Sequence, residues 1–119
     1  MIHVRIAGLS LDPVTEQPVL LLVRADDPST NPRLALPIWI GHAEASAIIL
    51  ALQGIEAPRP MTHDLLHTAI GMLGFVVSRV EITRLEEGTF YAAILLRGEE
   101  REIAVDARPS DSVALAVRA

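Results

Sequence analysis

The chain has 119 residues, half of them apolar, 3% aromatic and 21% charged, with a net charge of −5 and a mean hydropathy of +0.38. That length suits one core built from aliphatic side chains, and the apolar excess predicts an interface with further copies of the chain. The absence of cysteine excludes disulfides, zinc–thiolate centres and a cysteine nucleophile, and the acidic balance argues against a simple nucleic-acid clamp, which needs a basic face.

The elements follow from the spacing of apolar residues. Residues 2–11 alternate apolar and polar at first, a strand signal broken by Asp12-Pro13. Residues 18–24 and 36–41 are two further short apolar runs, separated by a loop over 26–33. Past Gly41 the period changes. Ala45, Ile48, Ile49, Leu52 and Ile55 predict a helix from His42 to Gln53, stopped at Gly54. A second helix follows Pro60, with Thr62 as its cap, Asp64 in its first turn and Gly74 as its stop. Its expected buried face is Leu65, Leu66, Ala69, Ile70 and Leu73. Residues 75–85, 89–97 and 100–106 read as a β-meander, and Arg108-Pro109-Ser110-Asp111 opens a last helix.

Runs of strands with helices inserted as a pair predict an α+β fold, with a mostly antiparallel mixed sheet and about three helices. Residues 1–119 read as a single domain. The last helix lacks a stop signal at Ala119, which predicts a domain that continues beyond it. The start of the chain lacks the form of a signal peptide, and no apolar run is long enough to span a membrane, so the expected location is the cytoplasm.

Two segments share a pattern. Arg59-Pro60 precedes Thr62-His63-Asp64, and Arg108-Pro109 precedes Ser110-Asp111. Proline, a hydroxyl and an aspartate are ordinary helix-start residues. An arginine near the positive end of a helix dipole is not, and two of them suggest an anion such as phosphate as partner. All ten basic residues are arginine, which biased genome composition explains most simply and phosphate recognition explains more sharply.

Glu44, Asp64, Asp106 and Asp111 are candidate ligands for magnesium or manganese, hard cations that take oxygen donors. The plainer readings are a solvated Glu44, dipole compensation by Asp64 and Asp111, and an ion pair for Asp106. His63 is a candidate general base or acid, or a residue bonded only locally. His67 lies one turn further on, a weak zinc signal without a third ligand. Ser110 lacks a nucleophile elbow and reads as a cap. Trp39 and Tyr91 offer rings for base stacking, with packing the commoner use of Trp39.

Leu36-Pro37-Ile38-Trp39-Ile40-Gly41 with Glu44-Ala45, Arg59-Pro60 with Thr62-His63-Asp64-Leu65, Gly88-Thr89-Phe90-Tyr91-Ala92, and Asp106 through Ser112 with Ala114-Leu115-Ala116 and Arg118 occur in this order. Together they resemble the signatures of the bifunctional nuclease domain family. The resemblance implies nuclease activity on RNA and DNA, as attributed to plant members. Combined with the residue chemistry, it gives a metal-assisted phosphodiesterase. In it Arg59 and Arg108 hold phosphate, Glu44, Asp64, Asp106 and Asp111 hold metal, and His63 moves a proton. The alternative is a non-catalytic homo-oligomeric module that binds an anion or another ligand. Arginine–aspartate bridges that satisfy both partners would favour that alternative.

Overall fold

In the computed structural model, residues 3–26 and 35–119 are described, so most of the loop expected over 26–33 lies outside the described residues. Among the described residues the fold is α+β, with two three-stranded antiparallel sheets and three helices. It divides into two compact units, residues 1–45 and 46–119. Among the described residues no helix is long and apolar enough to cross a membrane.

The first unit holds β1 (Val4–Leu11), β2 (Pro18–Arg24) and β3 (Ala35–Trp39), in that order across the sheet. The central strand β2 is a nearly unbroken aliphatic run, and Val19, Leu20, Leu22 and Val23 are all buried. A bulge between Ile6 and Gly8 shifts the register of β1. The β1–β2 turn is held from within, because the Asp12 carboxylate accepts the amides of Val14 and Thr15 at 2.9 and 3.3 Å. It also accepts the Trp39 indole N–H at 3.1 Å, so Trp39 is tied at one edge while half of it stays exposed.

Helix α1 (His42–Leu52) spans the division between the units. The second unit continues with α2 (Thr62–Met72), β4 (Val76–Glu86), β5 (Thr89–Arg97), β6 (Glu102–Ala107) and α3 (Pro109–Ala116). The β4–β5 turn is Glu87-Gly88 with φ of 50° and 77°, the double left-handed geometry of a tight hairpin. Ile70 of α2, Ile94 of β5 and Leu115 of α3 form the core, with Phe75, Val77, Val80, Leu96 and Ala107 packed around it. Gly54 and Gly74 take positive φ at the ends of α1 and α2, as their expected role of helix stops requires.

Two expectations for α2 are corrected. Its first residue is Thr62 and its N-cap is Met61, whose backbone N–H donates to Asp64 Oδ2 at 3.0 Å. The carboxylate on the first turn reaches back to cap the helix, and Thr62 does not. The buried face is also different. Ile70 is buried as expected and His63 joins it, whereas Leu65 and Leu73 are 61% and 77% exposed. Residues 63, 67 and 70 recur at helical spacing, and that face meets α3, because His63 finds a polar partner there. A count of apolar residues finds Ile70 and misses His63, because the leucines form a richer stripe that stays exposed.

Candidate functional site

The site is built where the starts of α2 and α3 come together. Proline fixes the first turn of α3. Its ring presets φ at Pro109, so the preceding Arg108 is the N-cap with extended backbone, and Ser110 is not. Ser110 is buried one position further in, which corrects its reading as a cap. The fully buried Ser112 donates its hydroxyl to the Arg108 carbonyl at 2.9 Å, fixing that residue's backbone.

Asp111 then stands one turn into α3, within reach of Arg108. Arg108 Nε donates to Asp111 Oδ2 at 2.9 Å, and His63 Nε2 lies 2.9 Å from Asp111 Oδ1. The His63 side chain is 11% exposed, Asp111 is 32% exposed and Arg108 is 65% exposed. The three form a chain from the interior to the surface: imidazole, carboxylate, guanidinium. Burial raises the Asp111 pKa, but hydrogen bonds from Arg108 and His63 and their charges outweigh it, and the group lies below its usual 3.8. An ionised Asp111 requires the proton on His63 Nε2, which leaves Nδ1 as the nitrogen able to accept another.

A second bridge lies beside the first. Arg118 Nε donates to Asp64 Oδ1 at 2.7 Å, and its two other nitrogens donate to the carbonyls of Ala114 at 2.6 Å and Ala47 at 3.1 Å. Arg118 is only 8% exposed. The bond from Arg118 lowers the Asp64 pKa most, the Met61 amide lowers it further, and burial opposes both. One buried guanidinium thus ties the end of α3 to α1 and to the start of α2. It lies just past the end of α3, where a cation meets the negative end of the helix dipole.

Of the residues nominated from sequence, His63, Asp64, Asp111 and Arg108 fall in these two neighbouring bridges. Arg59 is exposed in the loop before α2 and takes no part in them. Asp106 is exposed near the end of β6, opposite Ala93 of β5. Glu44 belongs to the first unit. Its carboxylate folds over Gly41, so closely that a Cβ at position 41 would collide with Oε2. That contact gives a physical reason for glycine at the start of α1.

A divalent metal at Asp64 or Asp111 would compete with bonds already made to both oxygens of each carboxylate. Among the described residues no three His, Asp or Glu side chains are grouped as a metal centre requires. Arg118 is the residue whose role sequence reasoning missed. Its signal is an arginine four residues after Ala114, placed to return to the carbonyl ladder of its own helix.

A sequence model of the bifunctional nuclease domain matches residues 23–119. An uncharacterised protein of Mycobacterium tuberculosis is 49% identical over 116 residues, covering 98% of this chain and 66% of that protein. Bifunctional nuclease 1 of Oryza sativa subsp. indica is 30% identical over 88 residues, covering 71% of this chain and 27% of that protein. Bifunctional nuclease 2 of Oryza sativa subsp. japonica is 27% identical over 120 residues, covering 98% and 36%. The chain therefore spans 66% of the mycobacterial relative and between 27% and 36% of the two rice proteins.

Proposed function

The chain belongs to the bifunctional nuclease domain family, and from that premise we propose that it binds and cleaves phosphodiester bonds of RNA or DNA in the cytoplasm, with His63, Asp111 and Arg108 at the centre. The observation that carries the reading is the bonded series from buried imidazole through Asp111 to the exposed guanidinium. Arg108 supplies a fixed cation for a phosphate oxygen, held at a set angle by its bond to Asp111. Asp111 keeps His63 in the tautomer whose Nδ1 accepts a proton from the attacking hydroxyl or water. The imidazolium then returns that proton to the leaving oxygen. Arg59 is nominated for a second phosphate along the strand.

Magnesium or manganese enters the proposal only as a cation carried largely by the substrate's own phosphates, with exposed Asp106 as its protein carboxylate. The paired aspartates, Asp64 and Asp111, are better suited to orienting arginine than to giving up their bonds. The same pairing favours a second reading. Both bridges satisfy themselves without a ligand, as expected of a non-catalytic module that recognises an anion through Arg59 and Arg108.

The test uses purified protein on labelled single-stranded RNA and DNA, with EDTA, magnesium or manganese, beside Arg108→Ala and Asp106→Ala prepared identically. The proposal expects cleavage by the wild type and a loss of at least about tenfold in folded Arg108→Ala, or roughly 1.4 kcal/mol of transition-state stabilisation. Sensitivity to EDTA together with an Asp106→Ala defect would place a metal at Asp106. Binding without cleavage would select the second reading. Equal residual cleavage in wild type and folded variants would mark a contaminant and overturn the nuclease proposal.

A further inference from the structure

Helix α2 presents two faces that do different work. His63 and Ile70 are buried in the second unit and His67 is half-buried between them. Leu65, Leu66, Met72 and Leu73 are 61%, 40%, 83% and 77% exposed. At about 100° per residue these four, with Ala69 and Thr62, fill an arc of roughly 120° centred on Ala69. No charged residue lies on that arc. The helix's one carboxylate, Asp64, is turned elsewhere and held by Arg118.

The order of residues along the arc is what identifies its occupant. Ala69 has Leu65 and Leu66 four and three positions before it, and Met72 and Leu73 three and four positions after it. Large, large, small, large, large reads alike in both directions. An antiparallel helix crossing at Ala69 with the same sequence sets Leu65 against Leu73, Leu66 against Met72, and alanine against alanine. The small side chain at the crossing lets the backbones approach, and the large pairs fill the space on either side. A two-fold axis also opposes each surface residue to a copy of its surroundings, which penalises charge, and here no charge is present.

From this we propose that α2 is the contact between two copies of the chain, packed antiparallel about a two-fold axis through Ala69. The interface does not depend on the cleavage proposed above, and its test reads mass and cross-linking rather than activity.

Light scattering of the full chain should return a dimer mass at micromolar concentration, and Leu65→Glu/Leu73→Glu should return a monomer with unchanged circular dichroism. Leu65→Lys/Leu73→Lys should also be monomeric alone. Mixing the acidic and basic variants should restore the dimer, since residue 65 of each meets residue 73 of the other. The chain has no cysteine, so Ala69→Cys introduces one thiol. Under mild oxidation it should form a disulfide-linked dimer at least about tenfold faster than Leu65→Cys, whose copies lie on opposite sides of the axis. A wild-type monomer, a dimer unaffected by charge at 65 and 73, or equal cross-linking by the two cysteine variants would each overturn the proposal.

Discussion

The starts of α2 and α3 carry nearly the same letters and are wired differently. In both, an arginine precedes a proline and an aspartate stands in the first helical turn. At α3 the arginine directly precedes the first helical residue, so Arg108 bonds the Asp111 of its own turn. At α2 the arginine stands three positions before the first helical residue, and Asp64 takes Arg118, 54 residues away. The offset decides the outcome. A local bridge leaves its guanidinium at the surface, where it can meet a ligand. A long-range bridge buries its guanidinium and fastens separate helices. The same pattern of residues therefore yields one pair open to solvent and one whose guanidinium is buried between helices.

That contrast is broken most severely at Arg118. Arg118→Ala removes a buried cation and leaves Asp64 and two carbonyls without their donor, so it should cost about 3 kcal/mol, read by urea unfolding. A cost below about 1 kcal/mol, the range of exposed pairs, would show that the bridge does not fasten the fold. Arg108→Ala breaks a pair open to solvent and should cost less than about 1 kcal/mol in the same experiment.

Acid weakens both bridges. Asp64 and Asp111 each sit below the usual 3.8 in the folded chain. Their contribution to stability is therefore complete above that unfolded value and is lost as pH falls through the lowered folded values. The thermal midpoint should stay level above about pH 5 and drop below about pH 4, and an Asp64→Asn/Asp111→Asn variant should lose less over the same range. An equally steep fall in the variant would assign the acid sensitivity to other carboxylates. The smallest effect on the fold belongs to Arg59→Ala. Its stability should match the wild type within about 0.5 kcal/mol, while affinity for a single-stranded oligonucleotide falls and its salt dependence becomes shallower. An unchanged salt slope would remove Arg59 from the nucleic-acid surface.

Much of the fold was legible in the sequence because strands and helix stops are local. Pro18 through Arg24 and Thr89 through Arg97 declare themselves by unbroken apolar runs between turn residues, and Gly54 and Gly74 mark helix ends through a backbone conformation that glycine adopts freely. The facing of α2 was not legible. Its leucines outnumber the residues that pack, and only the spacing of His63 with Ile70 hints that a histidine turns inward. Four nominated residues, His63, Asp64, Arg108 and Asp111, fall in the two bridges, whereas Glu44, Arg59 and Asp106 do not, and the pairings themselves were not legible. Arginine–aspartate bridges were considered only in general, as a mark of the non-catalytic alternative, and the observed ones are Arg108–Asp111 and Arg118–Asp64. Local reach explains the first. The second depends on where the end of α3 arrives, which no local pattern encodes.

The division of labour between the two bridges is tested most directly by measuring cleavage and thermal midpoint together on Asp111→Asn and Asp64→Asn. Each substitution removes one carboxylate charge and preserves size. Asp111→Asn should lose at least about tenfold in cleavage of single-stranded RNA with a smaller fall in midpoint than Asp64→Asn. Asp64→Asn should lower the midpoint and leave cleavage per folded molecule near the wild-type value. Cleavage retained by Asp111→Asn, or lost equally by both variants while both remain folded, would contradict the account.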